Sequence, residues 1–215
     1  QGDVGRLDQL RRRVTPFMLR RTKREVATEL PDKIESVSSI ELSGKQADLY
    51  ETIRLSTEKA VRDALASKGL AKSQIQILDA LLKLRQVCCD PRLLPLASGK
   101  KVKQSAKLEH LMDLLPEMIA EGRRVLLFSS FTSMLALIEE ALKARKMPWV
   151  KLTGQSQKRD ALIERFTSGE VPLFLISLKA GGVGLNLPQA DTVIHYDPWW
   201  NPATENQATD RAHRI

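Results

Sequence analysis

From residue 105 onward the chain alternates between two hydrophobic periods. Short apolar runs at 125–128, 149–152, 173–176 and 192–196 are separated by helical periodicity at 107–120, 134–142 and 158–166. Strands that read as near-continuous apolar runs are buried on both faces, and helices returning the chain between parallel strands produce that burial. The pattern therefore predicts an α/β unit, a parallel sheet with helices on both faces. In such sheets ligands bind beyond the carboxyl ends of the strands. The residues that fall there are Ser129 and Ser130, Thr153 and Gly154, residues 177–184 and residues 197–201. Small hydroxyls and glycines offer O–H and N–H donors with little bulk, which suits backbone phosphates. Each hydroxyl has a plainer use, as a cap for the next helix, and the two uses are compatible.

Two of these stretches carry the strongest chemical pattern. Residues 177–187 read S-L-K-A-G-G-V-G-L-N-L directly after an apolar run. A strand ending in a glycine-rich turn brings backbone N–H groups close to a ligand. It is not the dinucleotide fingerprint, because Leu187 stands where the third glycine belongs. About twenty residues on, W-W-N-P-A-T-E-N-Q-A-T-D-R-A-H-R-I closes the chain at 199–215. Proline's fixed φ suits a first helical turn, so a helix is expected from Pro202. Extended through the end, it would place Gln207, Arg211 and Arg214 at i, i+4 and i+7 on one face. Two guanidinium forks and an amide on one face suit a polyanion.

The first half of the chain differs in charge and pattern. The formal net charge is +8, and the whole excess lies within residues 1–107. Such asymmetry points to nucleic-acid contact. Residues 7–30 carry Arg11, Arg12, Arg13, Arg20, Arg21, Lys23 and Arg24, with Pro16 expected to break the helix. Residues 34–42 read as a short strand or extended arm, and Ser43 as the N-cap of the next helix. Ile75, Leu78, Leu81, Leu82, Leu84 and Val87 form a stripe at helical spacing, expected to be core. The Gly-, Lys- and Pro-containing stretch 95–104 marks a boundary between residues 1–104 and 105–215. Ser98-Gly99-Lys100 and Ser43-Gly44-Lys45 are not phosphate-binding P-loops, lacking the upstream glycine and the final hydroxyl. Cys88 and Cys89 are adjacent, which suits neither a long-range crosslink nor a zinc site. No apolar run approaches the roughly 20 residues of a membrane span, and the first residues lack a signal-peptide core. An intracellular protein is expected, cytoplasmic (nucleoid-associated) or nuclear, with no membrane partner and no metal site of its own.

K-A-G-G-V-G-L-N-L and W-W-N-P-A-T-E-N-Q-A-T-D-R-A-H-R-I, in this order, resemble the fifth and sixth motifs of the SWI/SNF-type ATPases. These are superfamily-two helicase-like DNA translocases, and the resemblance is to their second RecA-like lobe. Plain superfamily-two helicases usually carry glycine where this chain has Asp210. P-F-M-L-R-R-T-K-R-E-V-A-T-E-L-P-D-K at 16–33 resembles the segment joining the family's two lobes, and L-R-Q-V-C-C-D-P-R-L-L at 84–94 a family block whose cysteine packs. S-A-K-L-E-H-L departs from the family's S-G-K-L at Ala106.

The resemblance implies a RecA-like parallel sheet at 105–215, preceded by a mainly helical linker and protrusion. It implies Arg214 as the arginine finger, with Arg211 also contacting phosphates. Gln207, Gly182, Gly184 and Asn186 would bind or orient the nucleotide. Ser129, Ser130, Thr153, Gly154, Ser177 and Lys179 would contact the DNA strand. The cofactors implied are ATP and Mg²⁺, held mainly by a first lobe that carries the P-loop and acidic box this sequence lacks. The partners implied are double-stranded DNA and that first lobe of the same parent chain. The chain is expected to stop inside its sixth motif and to be inactive alone. A nucleotide-independent DNA-binding or docking module, and an RNA helicase lobe, remain alternatives at this point.

Overall fold

The computed structural model describes residues 4–17, 33–95, 99, 101–181 and 185–212. The alternation of apolar runs becomes four strands: β1 (Val125–Ser129), β2 (Val150–Leu152), β3 (Leu173–Ser177) and β4 (Thr192–His195). All pairings are parallel, in the order β2-β3-β1-β4. The four carboxyl ends therefore share one edge. Register is fixed by pairs such as Phe128↔Ile176 and Phe128↔His195, flanking the central strand β1.

Every residue of β1 and β3 is buried, as a two-sided sheet requires. Alternate residues enter two cores. Val125, Leu127, Leu173 and Leu175 meet α3 (Ala106–Ala120) and α4 (Thr132–Ala144) on one side. Leu126, Phe128, Phe174 and Ile176 meet Phe166 of α5 (Arg159–Thr167) and Ala208 of α7 (Pro202–Thr209) on the other. The short α6 (Leu178–Gly181) follows β3 directly, where the sequence predicted only a turn.

Ahead of the sheet runs α2 (Gly44–Cys89), two helical segments joined at Gly69. Gly69 has φ +71°, a region that disfavours side chains, and this breaks the helix. The far ends of the segments meet: Gln46 Nε2 donates to the Val87 carbonyl at 2.9 Å, and Ile53, Val87 and Leu94 pack together. The expected stripe is corrected here. Val87 is buried and Leu84 partly so, but Ile75, Leu78, Leu81 and Leu82 are exposed, Ile75 at 79%. Helical spacing identifies an apolar face without saying that anything covers it. Ser43 does stand at the N-cap position, but its side chain makes no capping bond. Residues 33–43 form neither helix nor strand.

The chain divides into two units, after Ile34. In the first, α1 (Val4–Val14) ends in a 3-10 turn, Thr15–Phe17, that contains Pro16, as expected. Arg11, Arg12 and Arg13 occupy the last turn of α1. Arg20, Arg21, Lys23 and Arg24 lie outside the described residues. The boundary expected at 104/105 falls inside the second unit.

Candidate functional site at the carboxyl edge of the sheet

The pairing of β1 with β4 sets Ser129 and Ser130 beside Asp197, two residues past β4. Ser129 Oγ donates to Asp197 Oδ1 at 2.5 Å. The Ser130 amide donates to both carboxylate oxygens, at 3.2 and 3.1 Å, and the Ser130 hydroxyl donates to Oδ2. Asp197 is buried, and its charge is met by Arg85 of α2, whose Nη2 lies 3.4 Å from Oδ2. The same Arg85 nitrogen donates to Ser130 Oγ and the Pro198 carbonyl, each at 3.2 Å. Its guanidinium lies 5.3 Å from the Phe131 ring centroid and 4.9 Å from that of Trp199.

The other strand ends use their hydroxyls locally. Thr153 Oγ1 accepts from the Gln155 amide at 3.3 Å, and the Thr153 amide donates to Ser156 Oγ at 2.8 Å. Ser177 Oγ accepts from the Ala180 amide at 3.3 Å, capping α6. Of the six expected DNA contacts, Gly154 and Lys179 are exposed, Ser130 and Thr153 half-buried, and Ser129 and Ser177 buried. The plainer reading, a cap for the next helix, holds for Ser177 alone. Ser129 and Ser130 bond Asp197, and Thr153 bonds within its own turn, while the helices after β1 and β2 have Phe131 and Lys158 at their N-cap positions without a side-chain cap.

The described flanks of the glycine-rich stretch and the turn after α7 are fastened together. Asn201 caps α7, its side chain accepting from the Ala203 amide at 3.1 Å, with Pro202 in the first turn as expected. The helix then ends at Thr209, short of the reach the sequence predicted. Gln207 is exposed and Arg211, in the turn beyond, is 7% exposed, so the two do not share an outward face. Arg211 turns inward because the helix has stopped. Its Nε donates to the Gly181 carbonyl at 3.1 Å and its Nη1 to the Leu185 carbonyl at 3.4 Å, while its own carbonyl accepts from the Leu187 amide at 2.9 Å. Asn186 is exposed between two buried leucines. Gly182, Gly184 and Arg214 lie outside the described residues.

Gly181 shows why a small residue is needed in this stretch. A Cβ there would stand 2.7 Å from Phe128 Cε1, in a ring that is 1% exposed and stacked on His195. Gly181→Ala is expected to destabilise the chain by about 1–3 kcal/mol through overpacking. Gly154→Ala, with nothing within 4 Å of its Cβ, is expected to stay within about 0.5 kcal/mol. Urea unfolding checks both: the Gly181→Ala midpoint should fall and the Gly154→Ala midpoint should hold.

The end of α2 is built into the same edge. Ser105 Oγ and Tyr196 Oη both donate to the Cys89 carbonyl at 3.0 Å. The Ala106 amide, at the start of α3, donates to Gln46 Oε1 at 2.9 Å. Burial pushes the Cys89 thiol from 9.0 up to about 12, and that of Cys88 upward too. Protonated, with Cys89 buried and Cys88 half-buried, these thiols serve packing rather than nucleophilic chemistry. Among the described residues no group of three or more His, Cys, Asp or Glu could hold a metal ion, and no helix is long and apolar enough to cross a membrane.

Sequence reasoning placed the strand ends correctly but did not single out Arg85, Asp197 or Gln46 as a working cluster. The available signal was the arginine of the L-R-Q-V-C-C block, a charged residue within an otherwise packing segment.

In sequence and in fold the chain is similar to known proteins. Residues 106–215 match the Helicase conserved C-terminal domain, and residues 2–93 match the SNF2-related domain. A putative ATP-dependent helicase/translocase of Bacillus subtilis is 42% identical over 99% of this chain, which spans 23% of that protein. A chromatin structure-remodeling complex protein of Arabidopsis thaliana is 39% identical over 99% of this chain, covering 6% of its own length. Among solved structures, the Sulfolobus solfataricus SWI2/SNF2 ATPase core in complex with dsDNA is similar at 33% identity and TM-score 0.71. That match takes in 97% of this chain and 44% of the other. The chain thus spans about a quarter or less of the curated relatives it matches.

Proposed function

The chain belongs to the SWI/SNF-type family of superfamily-two helicase-like ATPases, and from that premise we propose that it is the second ATPase lobe, with linker, of a double-stranded DNA translocase. Residues 1–104 act as the interlobe linker and protrusion, and residues 105–215 as the lobe. The observation that carries the reading is the fastening of Gly181, Leu185 and Leu187, which flank the glycine-rich turn, to Arg211 of the segment after α7. The two segments that resemble the family's nucleotide-facing motifs meet at the carboxyl edge of the sheet, where ligands of parallel sheets bind.

ATP with its Mg²⁺ supplies the γ-phosphoryl group, held mainly by a first lobe on the parent chain. The residues here fit half of such a site: they offer guanidinium groups and a glycine-rich backbone but no acidic box. Arg214 would serve as the arginine finger, stabilising charge on the transferring γ-phosphoryl group. Arg211, whose guanidinium donates to the carbonyls of Gly181 and Leu185, would add positive charge near the phosphates. Gln207 and Asn186, both exposed, with Gly182 and Gly184, orient the nucleotide. On the DNA side Gly154 and Lys179 meet the backbone directly. Ser130 and Thr153 contribute at its margin, and the buried Ser129 and Ser177 shape the turns beneath it.

An RNA helicase lobe is the rival reading, and the relative solved with dsDNA supports the DNA reading. ATP turnover of the full-length protein is the test, measured with duplex DNA and with duplex RNA. Stimulation by DNA and not by RNA is expected; stimulation by RNA alone would reverse the assignment, and indifference to both would remove it.

A further inference from the structure

We propose that Arg85 is a positioning residue for the DNA-facing edge: from the protrusion helix α2 it neutralises the buried carboxylate of Asp197 beneath the Ser129-Ser130 turn. The proposal rests on the DNA-track reading above.

Asp197 takes four donations from this turn, from the hydroxyls of Ser129 and Ser130 and twice from the Ser130 amide. With their protons committed inward, neither hydroxyl has a donor left for a ligand: the buried Ser129 Oγ also accepts from the Phe131 amide at 3.1 Å, and the half-buried Ser130 Oγ accepts from Arg85. A carboxylate 2% exposed then stands directly behind them. A turn with no free hydroxyl donor in front of a buried negative charge repels a phosphate rather than attracting one. Arg85 offsets that charge from 3.4 Å away. It is held there from two sides by the rings of Phe131 and Trp199. Its bonds to Ser130 Oγ and the Pro198 carbonyl tie the ends of β1 and β4 to the same point on α2. A guanidinium suits this place, being planar enough to lie against rings and always charged.

The cluster therefore sets the charge of the edge while touching no ligand itself. Removing the cation should weaken DNA engagement through charge, and removing the anion as well should restore it. That reciprocity separates a charge role from one of packing alone.

The experiment measures the duplex-DNA concentration giving half-maximal ATP turnover in the full-length protein, with the turnover number at saturating DNA read separately. Arg85→Ala is expected to raise the half-saturating concentration about tenfold, with turnover at saturation within about twofold. The double variant Arg85→Ala/Asp197→Asn is expected to return to within about threefold of the parent, and Arg85→Lys, which keeps the charge, likewise. If Arg85→Ala fails to fold, the Arg85→Lys and double variants carry the test on their own. An unchanged half-saturation in Arg85→Ala overturns the proposal, as does a double variant or a lysine variant weakened about tenfold or more. A parent protein that no duplex DNA stimulates overturns the underlying reading as well, which distinguishes the two failures.

Discussion

Replacing Arg214 by alanine in the full-length protein is expected to lower ATP turnover by about 10³-fold or more while leaving duplex-DNA affinity within about threefold. An arginine finger acts on charge that develops as the phosphoryl group transfers, so its loss falls on turnover rather than on binding. Arg214→Lys should lose nearly as much, because a flexible point charge does not replace a planar fork of donors. The DNA contacts proposed here, at Gly154 and Lys179, belong to other segments of the edge, which is why affinity should hold. Steady-state turnover paired with a DNA-binding titration checks the split. Normal turnover in Arg214→Ala would remove the assigned role.

The largest effect on stability is expected at Asp197. Its carboxylate is nearly sealed from solvent and accepts from Ser129, Ser130 and Arg85. Alanine there leaves a cation facing two rings without its anion, the Ser130 hydroxyl without its acceptor and the Ser130 amide unpaired, while the Ser129 hydroxyl keeps only the longer bond to the Phe131 carbonyl. Breaking a buried pair from one side costs about 3–5 kcal/mol. Arg85 keeps 26% exposure and can turn partly to water, so about 2–4 kcal/mol is expected for Asp197→Ala. Denaturant unfolding should show a lower midpoint at unchanged slope. A loss below about 1 kcal/mol would mean that the cluster is held by packing of Phe131 and Trp199 alone.

The sheet was legible because its signal is local. Runs such as Leu173 to Ile176 can be satisfied only between two covering layers, and parallel order follows from the helices between them. Pro202 likewise announced the start of α7, since proline's fixed φ acts only on its own neighbours. Where the reading fell short, the deciding partner lay far away in sequence. Ser129 and Ser130 looked available for phosphate because Asp197, nearly seventy residues on, is not visible from them. Arg211 looked outward because the helix was carried past Thr209, whereas its guanidinium is held by carbonyls about thirty residues earlier. Ile75 and Leu78 looked buried because periodicity records an amphipathic face and nothing about a cover. Arg85 was passed over because an arginine on a helix is ordinarily a solvated charge. Only the fold brings Asp197, Phe131 and Trp199 around it.

The claim beneath all of this is that the ATP site is divided between two lobes, with this chain holding the arginine side. ATP turnover by this chain alone, by the first lobe alone and by the two joined in one polypeptide measures it directly. Background rates from each piece and DNA-stimulated turnover from the joined protein are the expected pattern; robust turnover by this chain alone would contradict it.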